Sequence, residues 1–147
     1  MSLKEWAANG WLLEHKTSPE EIAGLLGVAD RDLGECRNPG LSPDWQLSIA
    51  YNAALQAGSA ALAASGYRAH REQHHYRIIQ SLALTIGYDR AAIALLDRFR
   101  KKRNIGGYER AGMVSQHEAD EMKALAKQIR DEVRKWLVEN HPDLIPK

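Results

Sequence analysis

Between Asp44 and Arg68 the chain carries no charged residue. The stretch opens on Ser42-Pro43-Asp44, a helix start with Ser as N-cap and Pro in the first turn. Asp44 suits the positive end of the helix dipole. Leu47, Tyr51, Leu55 and Leu62 then fall on one helical stripe, and Ala50, Ala53, Ala57, Ala60, Ala61 and Ala64 cover much of the rest. A helix so poor in charge is buried on several sides, and its small residues let neighbouring helices approach closely. This segment reads as one long helix over about 43–65. With Gly66 as its end, it predicts a helical core rather than a sheet.

The rest of the chain supplies partners for such a helix. Ala, Leu, Glu, Lys, Arg and Gln dominate, and alternating β-branched or aromatic runs are absent. Ser18-Pro19-Glu20-Glu21 and Ser115-Gln116-His117-Glu118 read as capping boxes. Helices are expected at about 3–15, 19–27 with a further turn near 30–36, 69–86 ending at Gly87, 88–104, and 116–139. Their apolar faces are Leu3, Trp6 and Leu13; Ile22, Leu25 and Leu26; Tyr76, Ile79, Leu82, Ala83 and Ile86; Ala92, Leu95, Leu96 and Phe99; and Met122, Leu125, Ile129, Val133, Trp136 and Leu137. Arg37-Asn38-Pro39-Gly40 separates the first part from the rest. Forty residues are too few for a core of their own. The expected fold is all-α: an antiparallel four- to five-helix bundle over 41–147, with an N-terminal helical extension over 1–40.

Composition narrows the function classes. Twenty Lys and Arg against nineteen Asp and Glu give a net charge of +1, which argues against a generally polybasic nucleic-acid binder. The single cysteine, Cys36, excludes an internal disulfide and a multi-Cys zinc site. Arg31 and Arg37 near it favour the thiolate, but no His stands beside it in sequence, so a catalytic thiol is not expected. No apolar run reaches the roughly 18 residues of a membrane span, and no signal-peptide pattern opens the chain. A cytoplasmic protein is the expectation.

The charge is unevenly spread. Arg98, Arg100, Lys101, Lys102 and Arg103 place five cations within six residues at the end of a predicted helix. Complementing the helix dipole is one reading, at about 0.3–1 kcal/mol per charge. The other is a phosphate or RNA contact, for which Arg offers forked donors and Gly106-Gly107 allow close backbone approach. His70 and His74 stand at i,i+4, a metal-compatible spacing, but no third ligand is convincingly placed; the bland reading is polar positions at a helix start. No metal and no cofactor is expected. Trp6, Trp11, Trp45 and Trp136 read as core. There is no Walker A loop, dinucleotide fingerprint or nucleophile elbow.

Taken together, Asp44-Trp45, Ala50-Tyr51-Asn52-Ala53-Ala54, Gly66-Tyr67-Arg68, His74-His75, the run Leu96–Asn104 and Tyr108-Glu109 resemble a HEPN domain, a family often encoded beside nucleotidyltransferases. The resemblance covers about 43–139. It is closest to a small bacterial branch with AYNA, GYR…HH and RRN…YE elements. It implies a four- or five-helix bundle, usually a homodimer, and in many members a metal-independent ribonuclease, some of them toxins with a nucleotidyltransferase-type antitoxin partner. The family motif is Arg, often followed directly by Asn, then His after four to six intervening residues counted from the Arg. Two such motifs meet across the dimer. The Arg holds the scissile phosphate and the His moves protons.

Arg103-Asn104 matches the start of that motif, and Tyr108 stands where His is expected. If Arg100 is taken instead, the His position falls on Gly106. Tyr, with a reference pKa of about 10, is a poor base near neutrality. The resemblance therefore points first to an RNA- or nucleotide-binding protein, in a toxin–antitoxin or defence module, with the usual catalytic His replaced. A metal-independent endoribonuclease and a helical protein-interaction module without chemistry are the competing readings. The candidate catalytic pair is Arg103 and Tyr108. Arg100, Lys101, Lys102, Arg103 and Asn104 are the candidate phosphate contacts. His74, His75 and Glu109 are candidate accessory groups.

Overall fold

The computed structural model describes residues 1–105 and 114–145, with 103–105 described by their backbone alone. Six helices and one two-stranded sheet appear among them. These are α1 (Leu3–Ala8), β1 (Leu12–Glu14), α2 (Pro19–Glu35), α3 (Pro43–Ala64), β2 (Tyr67–Ala69), α4 (His74–Ser81), α5 (Arg90–Ile105) and α6 (Gln116–Asn140), followed by a 3-10 turn, Pro142–Leu144. The chain is predominantly α-helical and forms a helical bundle. No described helix is long and apolar enough to cross a membrane.

The uncharged helix is the axis of the bundle. Leu47, Tyr51, Leu55 and Leu62 are all buried, as are Ala50, Ala53, Ala57, Ala60 and Ala61. Ser42 Oγ accepts from the backbone N–H of Trp45, so the expected cap is present. Along this axis α2 and α6 pack most extensively. Ile22, Leu26 and Ala29 of α2 and Met122, Ile129, Val133 and Leu137 of α6 close the core around it.

Polar contacts fix the directions. Gln46 Oε1 near the start of α3 accepts from Gln116 Nε2 (2.8 Å) and Lys123 Nζ (3.0 Å) at the start of α6, so α3 and α6 run the same way. Asn52 Nδ2 donates to Asp32 Oδ2 at 2.7 Å, and the N–H of His15 donates to the Gly66 carbonyl, so α2 runs opposite to α3. Tyr88 Oη donates to Gln128 and Lys102 Nζ to Glu118, so α5 runs opposite to α6.

The departures from the sequence reading cluster around one feature. The expected helix over 3–15 stops at Ala8, because Gly10 takes a positive φ of 80° and turns the chain into β1. The expected helix over 69–86 begins only at His74, because residues 67–69 are extended as β2. The two strands pair antiparallel, Leu12 with Ala69, Leu13 with Arg68 and Glu14 with Tyr67. Leu12, not Leu13, is therefore the buried residue of β1. Gly66, at φ 96°, turns the chain out of α3, and β2 carries it back along that helix. As a result α4 runs parallel to α3, with His75 beside Tyr51 and Ile78 beside Gly58. In α2 the expected break after 27 is absent. Gly24, Gly27 and Gly34 face solvent, while Ile22, Leu26 and Ala29 on the other side are buried and hold one continuous helix.

Candidate functional site

Two helix ends make the site. The first is the start of α4. Its N-cap residue, Gln73, adopts a left-handed conformation (φ 53°, ψ 34°) and provides no side-chain cap. An unclosed helix start presents N–H groups and the positive end of the peptide dipoles outward. The second is the later half of α5, which runs antiparallel to α4 and brings Arg100 alongside. Gln73, His74, His75, Tyr76 and Arg100 line one open cleft of about 460 Å³.

Arg100 is held in place from two sides. Its Nε donates to Asp97 Oδ1 at 2.7 Å, one turn earlier on α5. Its guanidinium carbon lies 5.5 Å from the centre of the Tyr76 ring, and that of Arg77 lies 5.4 Å from the same ring. Among the described residues the terminal nitrogens of Arg100 donate no hydrogen bond. A guanidinium oriented at one nitrogen and open at the others suits an incoming oxyanion.

The two histidines differ. His74 is exposed at the first position of α4. His75 is half-buried, its Nδ1 lying 3.3 Å from the hydroxyl of Tyr51 on α3, with ring centres 5.9 Å apart. Tyr51 is 1% exposed, so its hydroxyl is a polar atom within the apolar stripe of the central helix. A buried phenol needs a hydrogen-bond partner, and His75 supplies one. α4 is in turn fastened to the N-terminal segment. The Arg77 guanidinium sits 3.9 Å from the Trp11 ring centre, and Trp11 meets Trp6 edge to face at 5.9 Å.

The remaining candidates fall as follows. Lys101 Nζ lies 3.6 Å from Asp97 Oδ2, and Lys102 Nζ donates to Glu118 Oε2. The Lys102 bond, with the Ser115 backbone N–H, holds the Glu118 carboxyl below the usual carboxylate range. Three of the five cations thus share two carboxylates, and the end of α5 keeps an excess of positive charge. Arg103 and Asn104 lie in the last turn of α5, with side chains outside the described residues. Tyr108 and Glu109 lie outside the described residues altogether.

Sequence reasoning placed Tyr51 in the core and treated Tyr76 as a packing residue. Both contribute to this site. The signal that marks Tyr51 is a hydroxyl on an otherwise hydrocarbon stripe. Gln73 carried no sequence signal, because its role is a backbone conformation.

Other expectations are corrected. His70 is not on the helix of His74. It precedes α4 and its Nδ1 accepts from the Glu72 N–H at 3.2 Å, so the i,i+4 pair does not form. No group of three metal-compatible side chains occurs among the described residues. Burial pushes the Cys36 thiol up despite Lys123 and Arg37 nearby, and its Sγ donates to the Leu33 carbonyl. Trp45 is 64% exposed and Trp136 half-buried, so only Trp6 of the four tryptophans is a buried core residue. Glu21, expected to close a capping box with Ser18, instead accepts from Thr17 Oγ1 at 2.6 Å and faces His15 Nε2 at 2.7 Å. These bonds hold its carboxyl low.

The arrangement can bind an anion, with Arg100 and the start of α4 as donors and two imidazoles at the rim. Compared with protein-family models and with curated proteins, the chain matches none.

Proposed function

We propose that this chain is a HEPN-like protein that binds RNA or a nucleotide through a phosphate held at Arg100 and the start of α4. The observation that carries the reading is the convergence of Arg100 with the uncapped first turn of α4 and with His74 and His75 in one cleft. Arg103 and Asn104, carried by the last turn of α5, are proposed as further phosphate contacts. The net charge of +1 is no obstacle, because five cations are concentrated in residues 98–103. The resemblance adds a homodimer, which would double the basic end, and a cytoplasmic toxin–antitoxin or defence setting with a nucleotidyltransferase-type partner.

The test is fluorescence anisotropy of labelled single-stranded RNA over a salt series, with wild type, Arg100→Ala and Arg103→Ala. Each variant should bind more weakly, and each lost phosphate contact should reduce the slope of log K against log salt by about 0.7. Affinity unchanged in both variants removes the reading.

The pairing of His75 with Tyr51 favours a second reading, a metal-independent endoribonuclease. A half-buried imidazole paired with a phenol, in the cleft that contains Arg100, supports His75 as the proton-moving group of this reading. It would take the proton from an RNA 2′-hydroxyl as that oxygen attacks the adjacent phosphorus, and the 5′-oxygen would leave with a proton to give a 2′,3′-cyclic phosphate. Labelled RNA incubated with the protein in EDTA should yield cyclic-phosphate ends, and His75→Gln should lower the rate by about 10²–10⁴. Intact RNA at high protein concentration eliminates this reading and leaves binding as the function.

A further inference from the structure

A second cavity, of about 330 Å³, shares His74 and His75 with the Arg100 cleft. Its walls come from α2, α3, β2 and α4, so the N-terminal segment contributes to it directly. Leu25, Leu55, Leu62 and Ile78 give it apolar faces. The polar part of the wall includes the cation Arg68 and His15 beside Glu21, Asn52, Gln56 and Ser59.

Their hydrogen bonds determine what they can offer. Arg31 holds Asp32, which is 4% exposed, and Asp32 accepts from Asn52 Nδ2 at 2.7 Å. Asn52 Oδ1 accepts from Gln56 Nε2 at 3.3 Å. This chain fixes the Gln56 amide with its Oε1 accepting no hydrogen bond among the described residues. Glu21 takes both of its bonds on Oε1, from Thr17 and His15, which leaves Oε2 without a donor among the described residues. Two acceptors on apolar walls suit a flat ring with N–H donors at its edge. The volume is at the lower end of the roughly 300–1,000 Å³ typical of small-molecule sites, so it suits one ring system rather than a larger ligand.

We infer that this cavity receives the nucleobase of the nucleotide whose phosphate sits at Arg100, with the His74–His75 step between the two subsites. The inference rests on the phosphate reading above and adds to it a base-binding subsite, built in part by α2. Ring faces would lie against the leucines and Ile78, and edge N–H groups would donate to Gln56 and Glu21.

The test is calorimetric titration of the full chain with the four ribonucleoside 5′-monophosphates and with ribose 5-phosphate, which lacks the base. For wild type, at least one nucleotide should bind about ten-fold or more tightly than ribose 5-phosphate, the scale of burying one ring against apolar walls. Ser59→Phe, at a half-buried wall position, should fill the cavity and bring nucleotides down to the ribose 5-phosphate level. Gln56→Leu keeps the wall volume and removes the acceptor, so it serves if the first variant misfolds. It should weaken nucleotides several-fold. Both variants should leave ribose 5-phosphate binding unchanged, whereas Arg100→Ala should weaken every ligand. Equal affinity of wild type for nucleotides and ribose 5-phosphate, or full nucleotide affinity in the folded variants, overturns the base subsite while the phosphate site stands. No binding of any of these ligands overturns both.

Discussion

Gly58 packs against α4, and adding one methyl group there probes the packing that positions the site. A Cβ on Gly58 would lie 3.0 Å from Ile78 Cγ2 and 3.7 Å from Leu82 Cδ2. Two effects oppose each other. Alanine is about 1 kcal/mol better than glycine in a helix interior. A methyl forced into a packed core costs about 1–3 kcal/mol. Ile78 is 2% exposed and cannot swing away, so the clash should win. Gly58→Ala is expected to destabilise by about 1 kcal/mol, or about 2–4 °C in a chain of this size.

The sign should reverse when the obstacle is removed. Leucine at position 78 has no Cγ2, and the next neighbour, Leu82 at 3.7 Å, is at ordinary contact distance. In an Ile78→Leu background, Gly58→Ala should therefore stabilise by about 0.5–1 kcal/mol, the helix term alone. Urea unfolding followed by far-UV circular dichroism on all four members of the cycle gives the coupling, expected at about 1.5–2 kcal/mol in the relieving direction, the difference between the two effects. A Gly58→Ala effect of the same size and sign in both backgrounds would refute the close approach of α4 to α3 at this point.

Three further outcomes are expected. The Glu118 carboxyl is held below its ordinary value of 4.5 by Lys102 and the Ser115 N–H. It therefore contributes stability above that value and loses it as pH falls further, so the stability gap between wild type and Glu118→Gln should close on acidification in a denaturation series. Ser18→Ala removes the acceptor for the Glu21 N–H at the start of α2 and should cost about 1 kcal/mol, read as a thermal midpoint about 2–4 °C lower. Cys36 is buried with its thiol pushed up, so iodoacetamide should label native protein slowly at neutral pH and rapidly in urea; equal rates would place the thiol at the surface.

Local signals in the sequence were readable where local energetics decide. Ser18, Ser42 and Ser115 each accept a first-turn N–H, and Gly66 takes a positive φ just past the end of α3, whereas α4 already ends at Ser81, well before Gly87. The buried faces of α3 and α6 followed from their periodicity, except that Trp136 stays half-buried against His141. The sheet was not readable. Leu12–Glu14 and Tyr67–Ala69 are three residues each, too short for alternation to register, and their pairing joins segments far apart in sequence. At the site, the basic run announced the end of α5, and the histidine pair stood out by composition. Their meeting depends on the direction of α4, which no local pattern encodes. Tyr51 was hidden by its own stripe, since an aromatic at a helical core position reads as packing until its hydroxyl is seen to face His75.

The direction of α4 is the step on which the site depends. A tight turn after α3 would return the next helix antiparallel, with its start near Ala64. His75 would then lie far from Tyr51, at the opposite end of α3. Instead β2 carries the chain back in extended form, and an extended segment needs its backbone groups paired. β1 supplies that pairing, and Trp11, just before β1, stacks on Arg77 of α4. The N-terminal segment is thus coupled to the site twice, through the strand that sets the start of α4 and through the cation held against Trp11. Because Arg77 also flanks Tyr76, whose other guanidinium neighbour is Arg100, a contiguous path of packed rings and cations links Trp6 to the cleft. The first fourteen residues therefore help determine where Arg100 and His75 meet.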